Sequence, residues 1–174
     1  KSARNSNISH RLGLKNTDYI LATIHRAENT DNLDRLKQIV LALNELSKTM
    51  IVICPLHPRT YDCIKKAGLQ LSATVLEPVS YFEMLWLLKN CVFVLTDSGG
   101  LQKEAYFFQK NCITLRDQTE WVETVESGWN QLVDTTVNSI LQSIRNCRNN
   151  LSWPELYGDG SAAKKLIHIL VEEN

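Results

Sequence analysis

The sequence predicts an α/β fold, an open parallel sheet of about six strands with helices on both faces. Three observations carry this. Short apolar runs alternate about six times with stretches of helical periodicity, through short connections. The clearest run is continuously apolar, as suits a strand covered on both sides. Polar residues cluster just after several of these runs, and in a doubly wound sheet those strand ends share one edge, where ligands bind.

Taken in order, Tyr19–Ile24 is the first strand, ending in the polar cluster His25-Arg26-Ala27-Glu28-Asn29. Leu33, Leu36, Ile39, Val40, Leu43 and Leu46 recur at helical spacing. Met50–Cys54 is the next strand, closed by Pro55 and followed by Leu56-His57-Pro58-Arg59-Thr60, where Pro58 fits a first helical position. A short helix runs to Ala67 with Gly68 as its stop, and a strand lies near Thr74–Leu76. Ser80 is placed to cap an apolar helix from Tyr81 to Lys89.

The run Cys91–Leu95 leads into Thr96-Asp97-Ser98-Gly99-Gly100-Leu101-Gln102-Lys103-Glu104-Ala105. Asn111–Leu115 is another strand, ending in Arg116-Asp117-Gln118-Thr119-Glu120-Trp121, where Thr119 is expected to cap a brief helix. Gln131–Val133 is expected at the sheet's edge. Val137, Ile140, Leu141, Ile144 and Cys147 make one helical stripe. Asp159, in the turn Tyr157-Gly158-Asp159-Gly160, is expected to cap a last helix with Ala163, Leu166, Ile167, Leu170 and Val171 on one face.

Composition narrows the function. Apolar residues make up 44% and charged residues 22%, and 19 basic residues balance 19 acidic ones, so bulk charge points to neither nucleic acid nor a membrane surface. No apolar run approaches the roughly 20 residues of a spanning helix. Five cysteines occur without any Cys-x-x-Cys spacing, and Cys54, Cys91 and Cys112 fall in apolar runs as small hydrophobes. A reducing cytoplasm is expected, and no metal or other cofactor is. The opening Lys1–Asn7 reads as a polar linker, so residues 1–18 are taken as a lead-in and 19–174 as the domain, a piece of something longer.

The chemistry centres on Ser98-Gly99-Gly100. A parallel strand that stops at a glycine turn and opens a helix leaves backbone N–H groups facing outward, suited to phosphate. Glycine lets a ligand come close to those donors, and Ser98 can cap the helix or bind a ligand oxygen. Glu104 lies one turn after Gly100 and faces the same mouth, suited to ribose hydroxyls. Arg26 and Arg116, at strand ends, fit phosphate in shape or pair with a surface carboxylate. His57 reads equally as loop punctuation, and Trp121, Trp129 and Trp153 read as core or cover. The first turn of the helix from Tyr81 is placed to wall a nucleobase. No Walker lysine, Gly-x-Gly-x-x-Gly or Gly-x-Ser-x-Gly is present, so a nucleoside diphosphate fits best.

These motifs resemble, in order and over nearly the whole chain, the carboxyl-terminal domain of the non-hydrolysing UDP-N-acetylglucosamine 2-epimerases. The shared segments are His25-Arg26-Ala27-Glu28-Asn29, Pro55-Leu56-His57-Pro58, Thr96 to Gln102 with Glu104-Ala105, Leu115 to Glu120, and Tyr157 to Gly160. The resemblance implies a Rossmann-like domain, one half of a two-domain GT-B fold. It implies interconversion of UDP-GlcNAc and UDP-ManNAc by elimination of UDP, a glycal intermediate, and re-addition. By resemblance, Ser98, Gly99 and Gly100 hold the diphosphate, Arg26 and Arg116 serve it, Glu104 takes the ribose, and Tyr81 and Met84 wall the uracil. His25 is the expected catalytic histidine and His57 matches an effector site, while Glu28, Asn29, Thr119 and Glu120 complete the motifs.

The resemblance departs at Trp121-Val122, where many members carry Arg-Pro, and at Met84, where an aromatic is common. The carboxylates that work on the C2 proton belong to an absent amino-terminal domain, so this chain alone is expected to be inactive and the full-length protein a homodimer. The alternatives are the donor half of a GT-B glycosyltransferase and a non-catalytic nucleotide-sugar-binding module.

Overall fold

The computed structural model describes residues 8–147 and 152–172. Six strands, β1 (Tyr19–Thr23), β2 (Ile51–Pro55), β3 (Thr74–Leu76), β4 (Phe93–Thr96), β5 (Asn111–Thr114) and β6 (Asn130–Leu132), form one sheet in the order β3-β2-β1-β4-β5-β6. Every adjacent pair is parallel. The chain steps outward in one direction from β1 and in the other from β4. These two neighbours therefore flank the point where the winding reverses, and a crevice opens there at their carboxyl ends.

The helices are α1 (Ile8–Arg11), α2 (Ala27–Thr30), α3 (Leu33–Ser47), α4 (Pro58–Lys66), α5 (Tyr81–Asn90), α6 (Gly99–Phe107), α7 (Val122–Glu126), α8 (Val137–Arg145) and α9 (Ala162–Glu172). Local chemistry explains most of the boundaries. Asn32 caps α3 through Asp34 and Arg35 N–H, and His57 caps α4 with Pro58 as its first residue. Ser80 and Glu83 form a reciprocal capping box on α5. Gly68, at φ 66°, ends α4 in a backbone conformation that a side chain would strain.

Two apolar clusters cover the sheet. One joins Ile20, Ala22, Val52 and Leu95 to Leu36, Ile39, Val40 and Leu43 of α3 and Ile140 of α8. The other joins Leu21, Ile53 and Val94 to Leu87 and Leu88 of α5 and Leu101 and Ala105 of α6. Ile8 and Leu14, within the lead-in, are buried in this second cluster. Cys54, Cys91 and Cys112 are buried free thiols, and burial pushes each up to about 12.

Several sequence expectations need correction. The second strand runs one residue later than expected, from Ile51 through Pro55, so the proline lies within it. The central strand begins at Phe93, because the Cys91 N–H donates to Leu87 carbonyl and closes α5. The edge strand begins one residue early, at Asn130. Thr119 does not cap α7, which starts at Val122 after Trp121; its hydroxyl instead accepts from Trp121 N–H and donates to Gln102. Asp159 lies further upstream than a cap, accepting from Ser161 N–H and hydroxyl before α9 begins. The apolar stripe of α9 is a further finding: Leu166, Ile167, Ile169, Leu170 and Val171 are 50–71% exposed.

Candidate functional site

β1 and β4 end side by side, with Thr23 and Thr96 hydroxyls 2.6 Å apart. Beyond them the two chains are tied through Asp97, whose side chain is fully buried. Its carboxylate accepts from His25 N–H at 3.1 Å, Arg26 N–H at 3.1 Å and Asn29 Nδ2 at 3.1 Å, and lies 2.7 Å from His25 Nδ1. Burial alone raises this carboxyl, but hydrogen bonds from His25, Asn29 and Arg26 outweigh it and hold the group below the usual range. The same bond to Asp97 raises His25, against burial and the Arg26 charge. Asn29, also buried, donates on to Leu115 carbonyl and accepts from Arg35 Nε, joining β1, β4 and β5 ends.

The two arginines converge. Arg26 Nε donates to Asp97 carbonyl at 3.0 Å, which turns its guanidinium to within 3.8 Å of Glu120. Arg116, 6% exposed, holds Glu120 with two parallel bonds of 2.9 and 3.0 Å, and Glu28 lies 3.7 Å from its Nε. Glu120 is lowered to about 2, chiefly by the Arg116 bond. Its carboxylate also sits at the start of α6: a Cβ on Gly99 would meet Glu120 Oε2 at 3.2 Å and Arg26 Nη2 at 3.8 Å. Two guanidinium groups and a helix amino terminus thus meet around one carboxylate.

Ser98 caps α6, accepting from Leu101 N–H, while its carbonyl accepts from Gln102 N–H. The first amides, of Gly99 and Gly100, have no acceptor within the helix. A cleft of about 360 Å³ lies alongside, lined by Thr23, His25, Tyr81, Met84, Ser98, Gly100, Leu101 and Glu104. The Glu104 carboxylate pushes the Tyr81 phenol up. One wall is therefore the first turn of α5 and the other the first turns of α6, as their sequence positions require. The structure brings His25, Tyr81, Met84, Ser98, Gly100 and Glu104 to this cleft. Arg26, Gly99, Arg116, Glu28, Asn29 and Glu120 form the adjoining polar network. His57 does not line the cleft; exposed at the end of β2, its Nδ1 accepts from Arg59 N–H.

Sequence reasoning passed over three parts of the site. Asp97 was legible as the only acidic residue between the central strand and the glycines. Gln102 carries a buried network beneath α6, accepting from Thr119 and Asn130, which also bonds Thr114. Trp121 Nε1 donates to Gly99 carbonyl at 2.7 Å, and Lys103 Nζ lies 4.3 Å from its ring centroid and 4.2 Å from that of Tyr157. Trp129 and Trp153 cover the same helix, bonded to Ser152 and Tyr106 carbonyls.

A family model described as UDP-N-acetylglucosamine 2-epimerase matches residues 1–171. A UDP-2,3-diacetamido-2,3-dideoxy-D-glucuronate 2-epimerase of Pseudomonas aeruginosa is 48% identical over 92% of this chain and 47% of its own length. The structure of UDP-GlcNAc 2-epimerase from Methanocaldococcus jannaschii superposes with a TM-score of 0.86 at 36% identity, over 98% of this chain and 51% of that one. Its complex with UDP-GlcNAc and UDP gives 0.84 at 36% identity, over 98% and 50%. The chain spans about half the length of the curated relatives it matches.

Proposed function

Because the chain belongs to the UDP-N-acetylglucosamine 2-epimerase family, we propose that it is the UDP-binding half of an enzyme interconverting UDP-GlcNAc and UDP-ManNAc. It is one half of a GT-B-type fold. The observation that carries the reading is the carboxylate of Glu120, seated between Arg26, Arg116 and the start of α6. That place suits an anion, and a diphosphate offers the same oxygens in larger number.

In this reading the amides of Gly99 and Gly100, the Ser98 hydroxyl, Arg26 and Arg116 take the diphosphate. Glu104 takes the ribose, and Tyr81 and Met84 border the uracil. Epimerisation proceeds by loss of UDP, leaving a glycal, and re-addition on the other face. Cleavage of the sugar–phosphate bond leaves its electron pair on the diphosphate, so donors already fixed there stabilise the transition state. His25 opens onto the cleft beside this position and is the catalytic histidine of the half. The carboxylates that move the C2 proton come from the remaining half of the longer protein, and the exposed apolar face of α9 fits such a missing neighbour. The full-length protein is a homodimer of the cytoplasm, where five unpaired cysteines are at home, and His57 serves an effector site.

A second sugar is favoured by one finding, the 48% identity to an enzyme named for a diacetamido-glucuronate. Assaying the full-length protein on both UDP sugars side by side separates the two. Conversion of either without an acceptor excludes a glycosyltransferase. The binding half is tested by titration calorimetry with UDP. Ser98→Ala combined with Glu104→Ala should weaken binding at least several-fold, since hydrogen bonds to charged groups are worth roughly 1.5–3 kcal/mol. Unchanged affinity removes the site assignment.

A further inference from the structure

Among the described residues, one heavily bonded side chain has no part in the reading above. Asp97 is fully buried, yet its two oxygens meet four donors from one short stretch, residues 25–29. Three of them, the backbone amides of His25 and Arg26 and Asn29 Nδ2, fix where the chain goes after β1. The fourth fixes a ring. His25 Nδ1 lies 2.7 Å from Asp97 Oδ1, while the side chain is 51% exposed and lines the cleft. An ionised carboxylate has no proton to give, so the Nδ1 facing it carries the hydrogen. The opposite nitrogen, Nε2, is then the one offered to the cleft. The other charged groups around the ring are Arg26 beside it and Glu104 along the cleft wall, with the Tyr81 phenol next to Glu104.

We infer that Asp97 is a positioning residue for His25: it holds the proton on Nδ1 and turns Nε2 towards the space where the proposed diphosphate would sit. This rests on the diphosphate reading for its purpose but not for its geometry. A ring so held needs no reorientation when negative charge builds on the departing phosphate oxygens, and in its protonated form donates Nε2–H to them. Without Asp97 the neutral ring can turn over or move its proton to Nε2, and most such states present the wrong nitrogen. The same carboxylate binds the backbone N–H of both His25 and Arg26, so one buried group fixes where both residues stand at the mouth. The carboxylate-to-imidazole arrangement is the one by which other enzymes hold a reacting histidine in one tautomer.

The test uses histidine-¹⁵N-labelled protein and long-range ¹H–¹⁵N correlation spectra across pH, recorded on the 174-residue chain. His25 should be Nδ1–H in its neutral form, with a titration midpoint above the ordinary histidine value near about 6.5. In Asp97→Asn the midpoint should fall and the Nε2–H form should grow. In the full-length protein the same substitution should lower kcat on the order of 10–100-fold with a smaller change in KM, and Asp97→Glu should restore part of it. An Nε2–H tautomer in the unaltered chain overturns the inference, as does an unmoved midpoint in a folded Asp97→Asn chain. If that variant does not fold, the unaltered chain's spectrum decides alone. Failure of the unaltered protein to bind UDP in calorimetry is a separate result: it removes the diphosphate reading and leaves the tautomer assignment standing.

Discussion

Asp97 and Glu120 are carboxylates at the same mouth, and they are held on opposite terms. Asp97 is fully buried among four donors; Glu120 is half exposed and gripped by Arg116, with Arg26 nearby. Both are held below the usual carboxylate range, Asp97 against the pull of burial and Glu120 almost without it. The contrast teaches that a lowered carboxyl alone does not say what it is for. Burial makes Asp97 part of the frame, because removing it strands donors that include the fully buried Asn29. Exposure makes Glu120 exchangeable, because water or another anion can take its place.

The sharpest way to break this comparison is to remove each group. Asp97→Ala leaves the amides of residues 25 and 26 and Asn29 Nδ2 without their acceptor. Urea unfolding should show a loss of roughly 3–5 kcal/mol, the scale for a buried charge network losing one member. A loss under about 1 kcal/mol would falsify the framing role.

Acidity tests the same contrast more gently. Asp97 is lowered in the folded chain, so its contribution is present above about 3.9, its unfolded value, and disappears as pH falls through the folded one. His25 is raised, so its contribution is complete below about 6.5 and disappears as pH rises through its folded value. The pair should therefore stabilise most between about 4 and 6.5. Melting temperature against pH should carry that maximum in the unaltered chain and lose it in Asp97→Asn. A maximum that survives the substitution assigns it to other groups.

The smallest effect belongs to Glu120→Gln. Its stability change should stay within about 1 kcal/mol, because Glu120 is half exposed and Glu28 stays beside the buried Arg116. UDP should bind more tightly, because the ligand no longer competes with a charged side chain for Arg116 and Arg26. Weaker binding would instead make Glu120 a group that orients the arginines for the ligand.

The sheet was legible from the sequence because buried parallel strands leave continuous apolar runs, and β1 and β5 begin where the pattern puts them and end one residue sooner. The mouth was legible because polar clusters follow those runs. Pairings across the sheet were less so. Nothing in the local pattern around Thr119 says that its hydroxyl faces Gln102 rather than a helix start, since the partner is 17 residues away. The partners of Asp97 were hidden for a similar reason: its donors lie 68 to 72 residues earlier, and spacing along the chain does not announce them. The α9 stripe is apolar in the sequence and exposed in the structure, because periodicity marks a face and not what lies against it.

The placement of β1 beside β4 has a kinetic consequence. His25 meets Asp97 across 72 positions, so the mouth comes into being only when a long chain closure is complete. Hairpin-like shortcuts do not exist for parallel neighbours, and distant pairings of this kind are slow to form. A ligand gripping both strand ends has nothing to grip until then. Nucleotide uptake would accordingly report the closing of that seam, and a bound nucleotide would act as a latch across it.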